Sequence, residues 1–150
     1  KNAYALAVGL MIGVMEKQGP DGPAQAYNPQ AAVFAQGCHE MRQMLELLGG
    51  GVENIHGLPG PGDLYVTIYG GRTVKLGKLI GMGHNYEKAR RMLAGETLES
   101  VEITTRVCRA LPKLEARGLV KPTEFPLLRH IDGILHRGEA VNIPWEHFFA

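Results

Sequence analysis

The chain has 150 residues, 45% of them hydrophobic, which is enough to bury a core of its own as one compact domain. Sixteen lysines and arginines against fifteen aspartates and glutamates leave a net charge of +1, and the basic residues are dispersed, so nothing points to nucleic acid. Cys38 and Cys108 form no Cys-x-x-Cys pair, and no two of the six histidines have the i,i+4 spacing of a metal site, so buried free thiols and no metal are expected.

After Lys1-Asn2 the run 3–15 is apolar on every face and reads as a buried helix. It is shorter than the roughly 20 residues needed to span a bilayer. No membrane span is expected, and with no leader pattern visible a cytoplasmic protein is the simplest reading. Ala5, Gly9 and Gly13 form an i,i+4 row of small residues, suited to close approach of another helix in the core or of a second subunit in a homodimer. Residues 16–27 read as a polar loop, closed by Asn28 as an N-cap with Pro29 behind it. A second helix follows to about Leu48, with Val33, Phe34, Cys38, Met41, Met44, Leu45 and Leu48 as its apolar stripe, and Gly49-Gly50-Gly51 ends it.

The stretch Gly57-Leu58-Pro59-Gly60-Pro61-Gly62-Asp63-Leu64-Tyr65-Val66-Thr67-Ile68-Tyr69-Gly70-Gly71-Arg72 sets a carboxylate, a hydroxyl and a guanidinium beside a glycine pair. Asp63 and Thr67 share a face if the segment is helical. Gly70-Gly71 opens a helix from Arg72 to about Met82, so free amides and Arg72 converge where an anion can bind. The same residues also suit a plain turn, an N-cap and a solvated arginine. Lys1 heads the apolar helix, where burial would lower its pKa and fit it for proton transfer, unless it is only a frayed terminus.

Farther on, Tyr86 to Leu93 predicts a short helix and a longer one begins near Leu98, with Val101, Thr104, Val107, Cys108, Leu111 and Leu114 in helical spacing. Pro112 predicts a kink or break near Ala110. Thr123 is expected to cap a last helix that turns Phe125, Leu128, Ile131, Ile134 and Leu135 inward and closes at Gly138. The tail around Pro144-Trp145 and Phe148-Phe149 is apolar enough to dock on the body or a partner. No strand-like alternation competes, so the fold class is all-α.

Lys1-Asn2-Ala3 before an apolar helix, then Gly62-Asp63-Leu64 with Thr67, then Tyr69-Gly70-Gly71-Arg72, resemble in order and spacing the C-terminal domain of NAD-dependent glycerol-3-phosphate dehydrogenases. The resemblance runs to about Gly138 and implies the multi-helix C-terminal-like fold of 6-phosphogluconate dehydrogenase. It implies interconversion of dihydroxyacetone phosphate and glycerol 3-phosphate with NAD or NADP. In that setting Lys1 is the candidate general acid and base, Asp63 its partner and Thr67 a further member of the cluster. Asn2, Arg72 and Thr73 are candidates for substrate contact, and Arg72 and Glu99 for the nicotinamide side.

The chain departs from the family at Thr73, where asparagine is usual and a carboxamide's two-sided hydrogen bonding is lost. It also carries a longer 16–27 loop and Pro112. Gly60-Pro61-Gly62 follows no strand and cannot serve as a dinucleotide fingerprint. The resemblance therefore implies an N-terminal nucleotide-binding domain outside these residues as partner, and the chain alone is expected to be inactive. A related dehydrogenase acting on another hydroxy acid or sugar acid, and a non-catalytic helical binding module, stand as alternatives.

Overall fold

The computed structural model describes residues 1–19 and 27–149, all helix, turn and connector, with no strand among them. Helix α1 (Asn2–Lys17) runs through the centre, with Ala3 to Leu10 buried without interruption, as a helix apolar on every side must be. Around it lie α2 (Tyr27–Leu47), α3 (Asp63–Thr67), α4 (Arg72–Gly81), α5 (Tyr86–Met92), α6 (Glu99–Ala116) and α7 (Pro126–Asp132). A 3₁₀ turn (Val52–His56) and a π turn (Leu58–Gly62) lead into α3, and a second π turn (Gly133–Arg137) continues α7. Residues 20–26, most of the expected polar loop, lie outside the described residues.

The closest contact in the molecule is between α1 and α4. A Cβ on Gly9 would lie 2.4 Å from the Val74 carbonyl oxygen, one on Gly13 2.0 Å from that of Lys78, and ones on Gly77 and Gly81 2.1 Å from those of Leu6 and Leu10. Each helix thus meets the backbone of the other through a pair of glycines four apart, a separation no side chain permits. The small-residue row of α1 is core packing within one chain. Because its partners rise in number along both helices, α1 and α4 run parallel and both begin at the same end of the molecule.

The last helix is begun from a distance. Thr123 does not cap it; the helix starts at Pro126, after Phe125, which is buried at 2% exposure in the left-handed region with φ 60°. A helix leaves its first amides without internal partners. Here Pro126 has no N–H, Leu127 and Leu128 donate to the Glu40 carboxylate at 2.7 and 3.0 Å, and Arg129 donates to the Phe125 carbonyl at 3.0 Å. Glu40, on α2, is fully buried and also accepts from the Gln36 amide at 2.9 Å. Burial raises its carboxyl above the usual carboxylate range, while the donors around it pull the other way.

Three local expectations are corrected. α2 begins at Tyr27, so Asn28 sits inside its first turn, where Pro29 is tolerated because that turn's amides need no internal acceptor. Leu48 lies beyond the helix and is 76% exposed, leaving Leu47 to pack on the core. α6 runs unbroken through Pro112, since buried Leu111 and the partly buried Val107 and Leu114 hold both halves against the body. The helices from Arg72, Tyr86 and Glu99 start where periodicity places them, and Gly138 closes the last at φ 67°. Phe148 packs on the core, while Trp145 stays 44% exposed.

Candidate functional site

The parallel packing of α1 and α4 sets Lys1 and Asn2 beside Gly71, Arg72 and Thr73. α6 brings its first residue, Glu99, and the connector before it, with Thr97, to the same place, and Thr67 from the end of α3 completes the wall. These eight residues line one cleft of about 300 Å³. Three helices of 16, 10 and 18 residues thus begin around a single opening. Their leading amides and the positive ends of their dipoles favour an anion there.

Lys1, Arg72 and Asn2 each have one side-chain partner. Lys1 Nζ lies 2.5 Å from Asp63 Oδ2, and both side chains keep about two-fifths of their surface, at 36% and 43%. The burial expected for Lys1 is therefore absent: it stands at the rim, paired with the Asp63 carboxylate. Arg72 Nη1 donates to the Thr97 hydroxyl at 2.6 Å. Asn2 Nδ2 donates to Glu99 Oε2 at 3.3 Å. Thr67 donates to the backbone carbonyl of Asp63 at 2.7 Å, so its proton braces α3 and is not offered to the carboxylate. Thr73 lines the cleft but is only 8% exposed.

Of the residues singled out from sequence, Lys1, Asn2, Thr67, Arg72, Thr73 and Glu99 line the cleft, and Asp63 reaches it through Lys1. Thr97 was missed. A lone threonine in a connector carries no pattern, and its only signal is its place two residues before Glu99. His56 sits exposed on the 3₁₀ turn and does not line the cleft.

Two cavities are larger. One of about 500 Å³ lies between α1, α2 and α6 and is walled by apolar side chains such as Met41, Met44 and Val107; the other, about 460 Å³, lies at the far end of α1 beside Lys17 and His84. Neither gathers the convergent pairs found in the small cleft. Among the described residues no group of three histidines, cysteines or acids is placed to hold a metal, and no helix is long and apolar enough to cross a membrane. Both cysteines are partly buried free thiols. Burial raises both, and at Cys108 burial and the nearby Asp132 push the thiol up to about 12.

The family described as the C-terminus of NAD-dependent glycerol-3-phosphate dehydrogenase matches residues 1–145. A glycerol-3-phosphate dehydrogenase [NAD(P)+] of Aromatoleum aromaticum is 33% identical over 136 residues, covering 91% of this chain and 37% of that protein. One of Xanthomonas oryzae pv. oryzae is 30% identical over 138 residues, covering 91% and 36%. An NADP(+)-dependent glycerol-3-phosphate dehydrogenase of Archaeoglobus fulgidus is 31% identical over 102 residues, covering 68% and 29%. The crystal structure of a glycerol-3-phosphate dehydrogenase from Coxiella burnetii superimposes with a TM-score of 0.72 at 28% identity, over 97% of this chain and 39% of that one. The chain thus spans about a third of the length of these curated relatives.

Proposed function

The chain belongs to the family of NAD-dependent glycerol-3-phosphate dehydrogenase C-termini, and from that membership we propose that it is the substrate-binding part of a longer enzyme interconverting dihydroxyacetone phosphate and sn-glycerol 3-phosphate. The observation that carries the reading is the convergence of three helix beginnings on a cleft lined by both Arg72 and Lys1, the latter paired with Asp63. An anion-holding wall and a proton-carrying group then face one small opening.

In this reading Arg72 and the leading amides of α4 grip the phosphate, with Asn2 and Thr73 beside it. The Lys1 ammonium polarises the substrate carbonyl and delivers a proton to its oxygen; in the reverse direction its amine takes that proton back. Asp63 holds and aims the ammonium. The nicotinamide, when bound, supplies or accepts the hydride. Glu99 and Arg72 border its side of the cleft. The described residues contain no strand, glycine-rich turn and helix to seat a pyrophosphate, so the dinucleotide would be held by an N-terminal nucleotide-binding domain, with this chain contacting only its reactive end. Substrate, cytoplasmic location and that partner domain all belong to this proposal.

The test is oxidation of NADH and of NADPH by the full-length protein given dihydroxyacetone phosphate, followed by loss of nicotinamide absorbance, with residues 1–150 alone as control. Turnover by the full-length protein only is expected. Turnover of an unphosphorylated hydroxy acid or sugar acid in its place would move the assignment to another dehydrogenase, and no turnover by a folded protein would make it a non-catalytic module.

A further inference from the structure

An arginine reaching into an open cleft spreads over many rotamers unless something holds its far end. Arg72 Nη1 is held by the Thr97 hydroxyl at 2.6 Å, from a connector 25 residues away in sequence, and both side chains line the cleft. The choice of partner is informative because acids are close at hand. Asp63 is engaged by Lys1 and Glu99 accepts from Asn2. The cation assigned to proton transfer has a carboxylate, whereas the cation assigned to an anion has a neutral oxygen.

We propose that Thr97 is a positioning residue for the phosphate anchor: its hydroxyl fixes the Arg72 guanidinium without neutralising it. A carboxylate at this place would orient Arg72 equally well and then compete with the phosphate for its charge. A hydroxyl accepts one N–H and leaves the rest of the fork, with its full charge, to the incoming anion. The inference rests on the reading of this cleft as a phosphate site.

The experiment uses the full-length protein as wild type, Thr97→Val, Thr97→Ser, Arg72→Ala and the double variant Arg72→Ala/Thr97→Val. Thr97→Val keeps the shape and removes the acceptor. It is expected to raise KM for dihydroxyacetone phosphate about three- to tenfold with kcat held within about twofold, the worth of one ordinary hydrogen bond felt in binding. Thr97→Ser restores KM, and in the Arg72→Ala background Thr97→Val adds nothing further. Unchanged KM in Thr97→Val, or an equal loss with and without Arg72, overturns the proposal.

Calorimetric binding of inorganic phosphate to the same proteins separates this claim from the dehydrogenase reading. A wild type that binds phosphate but turns nothing over sinks that reading alone. Thr97 is then judged by phosphate affinity, which Thr97→Val must weaken by a similar factor; equal affinity overturns it. A wild type that neither binds phosphate nor turns over substrate overturns both.

Discussion

The α1–α4 contact and the cleft at its head are built from the same two helices by opposite means. Along the contact the approach is set by backbone touching backbone through Gly9, Gly13, Gly77 and Gly81, with one ion pair, Lys78 to Glu16, toward the far end. At the head the charged partners are exposed and held by single pairs: Lys1 to Asp63, Arg72 to Thr97, Asn2 to Glu99. Surface pairs of this kind contribute little to stability, about 0–1 kcal/mol each. The frame therefore carries the fold and the head, in the proposed function, the chemistry, so substitutions in one should leave the other's property alone.

Lys1→Ala gives the largest expected effect and bears on the head only. If Lys1 moves the proton, kcat of the full-length enzyme falls about 10³-fold, at the middle of the range for lost general acid–base catalysis. Stability in urea changes by less than about 1 kcal/mol. A matching loss of stability would mean that the head is structural after all.

Gly77→Val reverses the pattern. Its Cβ would meet the Leu6 carbonyl oxygen at 2.1 Å and α1 would have to move away, so a loss of about 3 kcal/mol or more in urea unfolding is expected. Full stability in this variant would show that the contact yields, and that the parallel start of α1 and α4 is not what assembles the cleft.

Glu40→Gln probes a charge placed inside the frame. Gln can accept through one oxygen only, so one amide at the start of α7 loses its partner, at a cost of about 2 kcal/mol. The carboxyl's folded value lies above its ordinary one, so the folded chain holds the proton more tightly than the unfolded chain. The stability this provides is complete below the ordinary carboxylate value and is lost as pH rises through the folded one. The advantage of wild type over Glu40→Gln in urea should therefore be largest in acid and shrink on going toward neutral pH. An advantage that grows with pH would mean that the amide donors outweigh burial.

Legibility in the sequence follows the same division. Helices bounded by local signals could be read directly: the glycine step before Arg72 and the closing glycine at 138. The cleft residues could be named because the family likeness picked them out of a segment that a plain turn, an N-cap and a solvated arginine suit as well. Long-range partnerships left no trace in a local pattern. Glu40 and Gln36 lie outside the apolar stripe expected for this helix, yet both are sealed in the core, where Glu40 accepts from the first amides of α7 and from Gln36. Pro112 reads as a break, but burial of Leu111 beside it outweighs the missing hydrogen bond. Thr97 is silent until α6 folds back beside Arg72.

In the proposed function the head of the molecule recognises a phosphate. The most direct test of this compares kcat/KM for dihydroxyacetone phosphate and for dihydroxyacetone in the full-length enzyme and its Arg72→Ala variant. Strong preference for the phosphorylated substrate is expected in wild type and collapse of most of it in the variant, with unfolding in urea unchanged. A preference that survives Arg72→Ala intact would contradict phosphate recognition by the head.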